Sequence, residues 1–249
     1  MDVSAILQQL KIPKNCLIDR VVPKKTIFEH ATSKQKKVIQ SQLKRLRWMY
    51  ALKTEKTNIP SFRDELFYFP EIEYFIAEID QQQSIKELAT IVMQLIPYPM
   101  VLFFTWENQF CIMAVQYRVS QKDPSKIVVQ KLIQSKNYSL VISPGEMDSF
   151  IQKQLFSNQS LTNFKAYYDS VVSKILQDKL ESAYMIKLPL TVNLVTLNDQ
   201  LEKLETEIND KQIKMKKVDQ FNHRVELQVE VHELMKQKND FLKKYEIQE

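Results

Sequence analysis

The sequence predicts an α/β protein: a mixed sheet with flanking helices, followed by a helical segment and a C-terminal coiled coil. Three observations predict it. Between Ile72 and Val119, short apolar runs are separated by a capped amphipathic stretch, in the order strand, helix, strand, hairpin. From Leu194 onward, Leu and Ile recur in heptad register among charged residues. The 249 residues include one glycine, Gly145, where average usage predicts roughly 17.

The elements follow in chain order. Met1 to Leu10 reads as a short helix. Pro23-Lys24-Lys25 opens a turn and a short helix through Phe28 and His30. Thr32 or Ser33 caps the next helix, predicted to run to about Leu52. Its apolar positions Ile39, Leu43, Leu46 and Tyr50 recur at three- and four-residue steps, giving one buried stripe. Lys37, Lys44, Arg45 and Trp48 then share the other side. Lys56 to Ile59 reads as a short strand, and Ile72 to Ile79 as a stronger one. Ser84 and Glu87 form a capping box for a helix that buries Ile85, Leu88, Ile91, Val92 and Leu95, ended by Pro97 and Pro99.

Met100 to Trp106 fits a central strand, Asn108-Gln109 a tight turn, and Phe110 to Val119 the hairpin partner. After a polar loop at 121–126, Ile127 to Ile133 and Tyr138 to Ile142 add edge strands. Ser143 and Glu146 make a second capping box, with Pro144 at the first helical position. Phe150, Leu155 and Phe156 close that short helix. Leu161, Phe164, Tyr168, Val171, Val172, Ile175 and Leu176 mark a longer amphipathic helix to about Tyr184, and Pro189 breaks the pattern. In the coil, Leu197, Leu201, Leu204 and Ile208 form the seam. Phe221, Val225, Gln228, His232, Met235 and Leu242 continue it in shifted form. Unbroken from 194 to 245, the helix would span roughly 80 Å; Asn209-Asp210 would allow a hairpin instead. The domain boundaries read as 1–157, 158–193 and 194–249.

Composition excludes several classes. One glycine cannot write a phosphate loop, a dinucleotide fingerprint or a nucleophile elbow, each of which needs two or more. No cofactor motif is visible. No apolar run reaches the 18 residues of a membrane span, and the N-terminus lacks a cationic leader, so a cytoplasmic protein without membrane contact is expected. Cys16 and Cys111 lie far apart and read as reduced thiols. His223 and His232 are nine residues apart with no cysteine nearby, and His30 stands alone. No metal site is expected from that spacing.

Charge is unevenly placed. Residues 1–60 hold 13 Lys or Arg against 4 Asp or Glu, a net of +9, whereas the whole chain is +5. Such a segment suits nucleic acid or an acidic partner. Lys37, Lys44, Arg45 and Trp48 are the candidate nucleic-acid residues, pairing phosphate contacts with a stacking ring. The alternating run Glu71 to Asp80 supplies carboxylates at a sheet end, and Glu73 and Glu78 are its candidates for metal-dependent nuclease chemistry. A nuclease usually places Lys two residues after the key carboxylate, and here Asp80 follows Glu78. The alternative is that these acids pair with nearby basic residues.

The order of segments resembles a known family. Val22-Pro23-Lys24-Lys25-Thr26-Ile27-Phe28 comes first, then Ile39 through Trp48 and Thr57-Asn58-Ile59. Glu71-Ile72-Glu73-Tyr74-Phe75 and Ile96-Pro97-Tyr98 follow. Gln220-Phe221-Asn222-His223-Arg224-Val225-Glu226-Leu227 is the most specific piece. Together they resemble the bacterial family called domain of unknown function 4391, over most of the chain. The resemblance implies a soluble bacterial protein. It also implies gene neighbourhoods of helicases and DNA methyltransferases, as in anti-phage and restriction-type systems, and assigns no catalytic residue.

The expected function is therefore a non-catalytic subunit of a DNA-acting bacterial defence complex. Its basic domain would contact DNA or a helicase or other defence-system subunit, and Leu197, Leu201, Leu204 and Ile208 would hold a partner. The alternatives are a divergent metal-dependent nuclease and an adaptor that homodimerises through the coil without touching nucleic acid.

Overall fold

Strand β1 (Leu17–Val22) begins a seven-stranded mixed sheet that organises the first two thirds of the chain. The computed structural model describes residues 2–81, 85–121, 127–141, 144–189 and 193–245, without the side chains of 144–147. The predicted caps at Ser84 and Ser143 and most of the 121–126 loop lie outside the described residues. Two compact units are present, Met1–Ile175 and Leu176–Glu249.

In the first unit, helix α1 (Val3–Gln9) is capped by the Asp2 carboxylate, which accepts from the Ala5 N–H at 2.7 Å. After β1 come α2 (Lys24–Phe28) and α3 (Ser33–Gln42). Thr32 and Gln35 close a reciprocal capping box on α3. The expected single helix to Leu52 is overturned: α3 stops at Gln42, and Leu43–Leu52 is strand β2.

The reason lies in two bulges. β2 pairs antiparallel with the strand Ile72–Ile79, and the register slips between Leu43 and Arg45 and between Trp48 and Tyr50. Lys44 and Met49 are the extra residues. Each bulge shifts the two-residue alternation by one. The first bulge puts Leu43 and Leu46 on one face three residues apart. After the second, Tyr50 falls on the other face, in the run 49–52 that is buried throughout, and the spacing of 43, 46 and 50 imitates a helical stripe.

The expected strand at 56–59 is also replaced, by the short helix α4 (Thr54–Thr57), which ends on left-handed Asn58. A two-stranded ribbon of β3 (Phe62–Arg63) and β4 (Tyr68–Phe69) leads into β5 (Ile72–Ile79). Helix α5 (Ile85–Leu95) crosses over to β6 (Met100–Trp106), which runs parallel to β5. A two-residue turn leads to β7 (Gln109–Val119), then come β8 (Ile127–Gln134) and β9 (Tyr138–Ser139). The order is β1-β2-β5-β6-β7-β8, with β9 on β7 and every pair except β5–β6 antiparallel.

Helices complete the layers. Helix α6 (Pro144–Gln154) sets Phe150 against Phe110 and Tyr138, and α7 (Phe164–Tyr184) locks onto the sheet through tyrosines. The Tyr74 and Tyr167 hydroxyls meet at 2.9 Å. The Tyr168 hydroxyl donates to the Met100 carbonyl at 3.0 Å and accepts from the Val115 N–H at 2.9 Å. Such satisfied polar links in an apolar core fix one docking position. Helices α3 and α5 touch one another.

The second unit takes the end of α7 together with α8 (Leu194–Lys217) and α9 (Phe221–Lys243). α8 and α9 pack as a hairpin turning at 218–220, eight residues beyond Asn209-Asp210. Lys211 pairs with Glu230, and Lys238 with Glu205 at 3.4 Å. Lys179 reaches Glu202 and Asn198, each at 3.0 Å, tying α7 to α8.

Candidate functional site

The four candidate nucleic-acid residues do not share a side, because β2 is a strand. Lys37 is exposed on α3. Lys44 and Arg45 are exposed at the start of β2. Trp48 is half-buried on the opposite face of the sheet from Arg47, stacked on Phe75 with ring centroids 6.1 Å apart. Its indole N–H donates to Glu73.

The basic run of β2 and the acidic run of β5 are cross-strand neighbours. Lys44 pairs with Asp80 at 2.7 Å, Arg45 with Glu78 at 3.5 Å and Lys53 with Glu71 at 3.1 Å. Arg47 pairs with Asp19 at 2.6 Å and donates to the Ser4 hydroxyl at 3.1 Å. Carboxylates of residues 71–80 thus balance three of the nine net positive charges of residues 1–60.

At the carboxyl ends of β5 and β6 lies a cleft of about 520 Å³. Lys44, Arg45 and Arg47 line it from β2, Glu78 from β5, Thr105 from β6, and Glu107 and Asn108 from the hairpin turn. Asp2 and Ser4 of the α1 entry complete the polar lining. Arg45, Glu78 and Thr105 are register partners on three adjacent strands, so they form one row on one face. Carboxyl ends of parallel strands are the usual ligand position in open α/β sheets.

One family profile matches residues 10–237 of the chain. The chain belongs to the family described as domain of unknown function (DUF4391). No curated protein and no solved structure matches it, so membership brings no activity, ligand or partner with it. In this DUF4391 chain, Glu71-Ile72-Glu73-Tyr74-Phe75 leads into and forms the first half of β5. Ile96-Pro97-Tyr98 turns into β6, and the segment Gln220 to Leu227 opens α9.

Glu73 and Glu78 do not converge. They are five residues apart on a regular strand and project from opposite faces. Among the described residues no group of three or more His, Cys, Asp or Glu is placed to hold a metal ion. Glu73 is 2% exposed. Burial and the neighbouring Glu71 carboxylate push its carboxyl up to about 8, against the opposing Trp48 hydrogen bond. Cys16 and Cys111 are both free and buried, and burial raises the Cys111 thiol to about 12.

Of the four seam residues, Leu197, Leu201 and Ile208 are buried within the chain, and Leu204 is half-buried. The exposed apolar row runs along α9 instead, through Phe221, Val225, Val229 and Met235. Sequence reading missed Arg47, Thr105 and Glu107 as cleft residues. A helical reading of 43–52 put Arg47 on the wrong element, and the turn expected at Asn108-Gln109 falls one residue earlier, at Glu107-Asn108.

Proposed function

We propose that this protein is a non-catalytic subunit of a bacterial DNA-acting defence or restriction-type complex. Its nucleic-acid surface is the segment from β1 to α3. The observation that carries this reading is the charge of residues 20–37. Arg20, Lys24, Lys25, Lys34, Lys36 and Lys37 stand against Glu29 alone. Among the described residues none of the six takes part in an ion pair, unlike Lys44, Arg45 and Arg47. Unpaired cations can release counterions from a phosphate backbone, the main source of sequence-independent affinity.

Fluorescence anisotropy with duplex DNA across a salt series tests this. The log of the affinity falls linearly with log salt, with a slope near −0.9 per neutralised phosphate. The double variant Lys34→Glu, Lys37→Glu on exposed α3 lowers both affinity and slope. Binding that is unchanged in this variant refutes the surface.

The exposed row on α9 favours a second reading, an adaptor that homodimerises through the C-terminal helices as a coiled coil. Sedimentation of the wild type and of Val225→Lys, Val229→Lys decides it. A dimer lost in the variant supports the adaptor, and a wild-type monomer removes it. In the first reading the same row receives a helicase or another subunit of the complex.

A further inference from the structure

We propose that the cleft at the ends of β5 and β6 binds a ligand that joins a phosphate to a vicinal diol, the chemistry of a ribonucleotide. The inference does not rest on the DNA-binding reading, since none of the residues 20–37 lines the cleft. Its volume, about 520 Å³, lies within the range of about 300–1,000 Å³ usual for small-molecule sites.

The charges select the ligand. The lining sets Lys44, Arg45 and Arg47 against Asp2, Glu78 and Glu107. A bare polyanion would meet as many carboxylates as cations. A ligand with one anionic end and a hydroxyl-bearing body satisfies both. The row Arg45, Glu78, Thr105 crosses three strands and spans about 10 Å, two strand spacings. That length holds a phosphate at the arginine end and a ribose over Glu78 and Thr105. Glu78 is the acceptor for paired sugar hydroxyls, the role a carboxylate has in other nucleotide sites.

Local backbone features gather around this cleft. The Lys44 bulge lies at its rim, Glu107 holds φ at 49°, and Asp19, the partner of Arg47, holds φ at 51°. Bulges and left-handed non-glycine residues concentrate where side chains are aimed at ligands. The Arg45–Glu78 contact is long, 3.5 Å, with both side chains partly exposed. A pair of that kind contributes little, so both groups can turn to a ligand.

Titration calorimetry on the full chain tests the proposal with ribonucleoside 5′-monophosphates, their 2′-deoxy counterparts and inorganic phosphate. The ribonucleotides bind, and the deoxy forms and phosphate bind about tenfold or more weakly, the loss expected for one charge-assisted hydrogen bond. Arg45→Gln lowers ribonucleotide affinity by a similar factor, and Glu78→Gln removes the preference for ribose. Both residues are exposed enough for the variants to fold, which circular dichroism verifies. Lys34→Glu with Lys37→Glu leaves nucleotide binding unchanged, so failure of the DNA surface and failure of the cleft are separable. A 5′-phosphorylated oligoribonucleotide that binds more tightly than the monomer, and only with Arg45 present, makes a chain end the source; otherwise the source is free nucleotide. No binding at millimolar nucleotide, equal binding of ribo and deoxy forms, or binding indifferent to Arg45→Gln overturns the proposal.

Discussion

Among the described residues five that are not glycine sit at positive φ: Lys11, Asp19, Asn58, Glu107 and Met185. The one glycine occupies a helix, within α6. Left-handed backbone costs an L-residue about 1–2 kcal/mol from the clash of Cβ with the following carbonyl, and Asn is among the few that adopt it readily. Met185 is 90% exposed at φ 57°, so its side chain does little to offset that cost. Met185→Gly and Lys11→Gly are each expected to raise stability by about 0.5–1 kcal/mol in urea unfolding, whereas Asn58→Gly changes it little. A destabilised Met185→Gly would show that the strain is absent.

Glu73 carries a second prediction at the same scale. Its folded pKa of about 8 lies above the usual 4.5, so the folded state holds the proton more tightly than the unfolded one. Its contribution is fully present below pH 4.5 and is lost as pH rises towards 8, by about 1.4 kcal/mol for each pH step of one. Stability measured from pH 5 to 9 should decline less in Glu73→Gln than in the wild type. Trp48 donates to this carboxyl, so its fluorescence in a Trp106→Phe background titrates near 8. Loss of that transition in Glu73→Gln confirms its origin; its persistence assigns it elsewhere.

At the scale of elements, legibility followed regularity. The strands Ile72–Ile79 and Met100–Trp106 coincide with their sequence readings, since both are regular, buried and bounded by turn residues. β2 was not legible, because the Lys44 bulge spaces Leu43 and Leu46 as on a helix and the next buried residue of the apparent stripe, Tyr50, belongs to a run, 49–52, buried on both faces of the sheet. The cleft was partly legible: Lys44 and Arg45 belong to it, but for a reason tied to sheet register rather than to a helix face. In the C-terminal helices, apolar spacing identified buried positions without saying what covers them. Leu201 is 1% exposed, so Leu201→Ala should cost about 2–5 kcal/mol. Leu204 is half-buried, and Leu204→Ala should cost clearly less. Equal losses in thermal melts would mean that both seam positions are equally enclosed.

At the scale of the whole molecule, two compact units divide the chain at Ile175 and Leu176. The first has a sheet core, closed by the tyrosines of α7. The second contains buried Leu194, Leu197, Leu201 and Ile208 on α8 and Leu227, Val231 and Leu242 on α9. Units with separate cores need not unfold in one step. Both tryptophans, Trp48 and Trp106, lie in the first unit, whereas the two longest helices, α8 and α9, lie in the second. Leu201→Asp buries an unpaired charge, which a well-packed helix pair does not tolerate. The variant should lose helical ellipticity at a lower temperature while the tryptophan transition keeps its wild-type midpoint. The nucleotide binding proposed for the cleft and the DNA binding proposed for residues 20–37 should persist in it, since both surfaces belong to the first unit. A tryptophan transition that moves down together with the helical one would show that the two cores melt as one cooperative body.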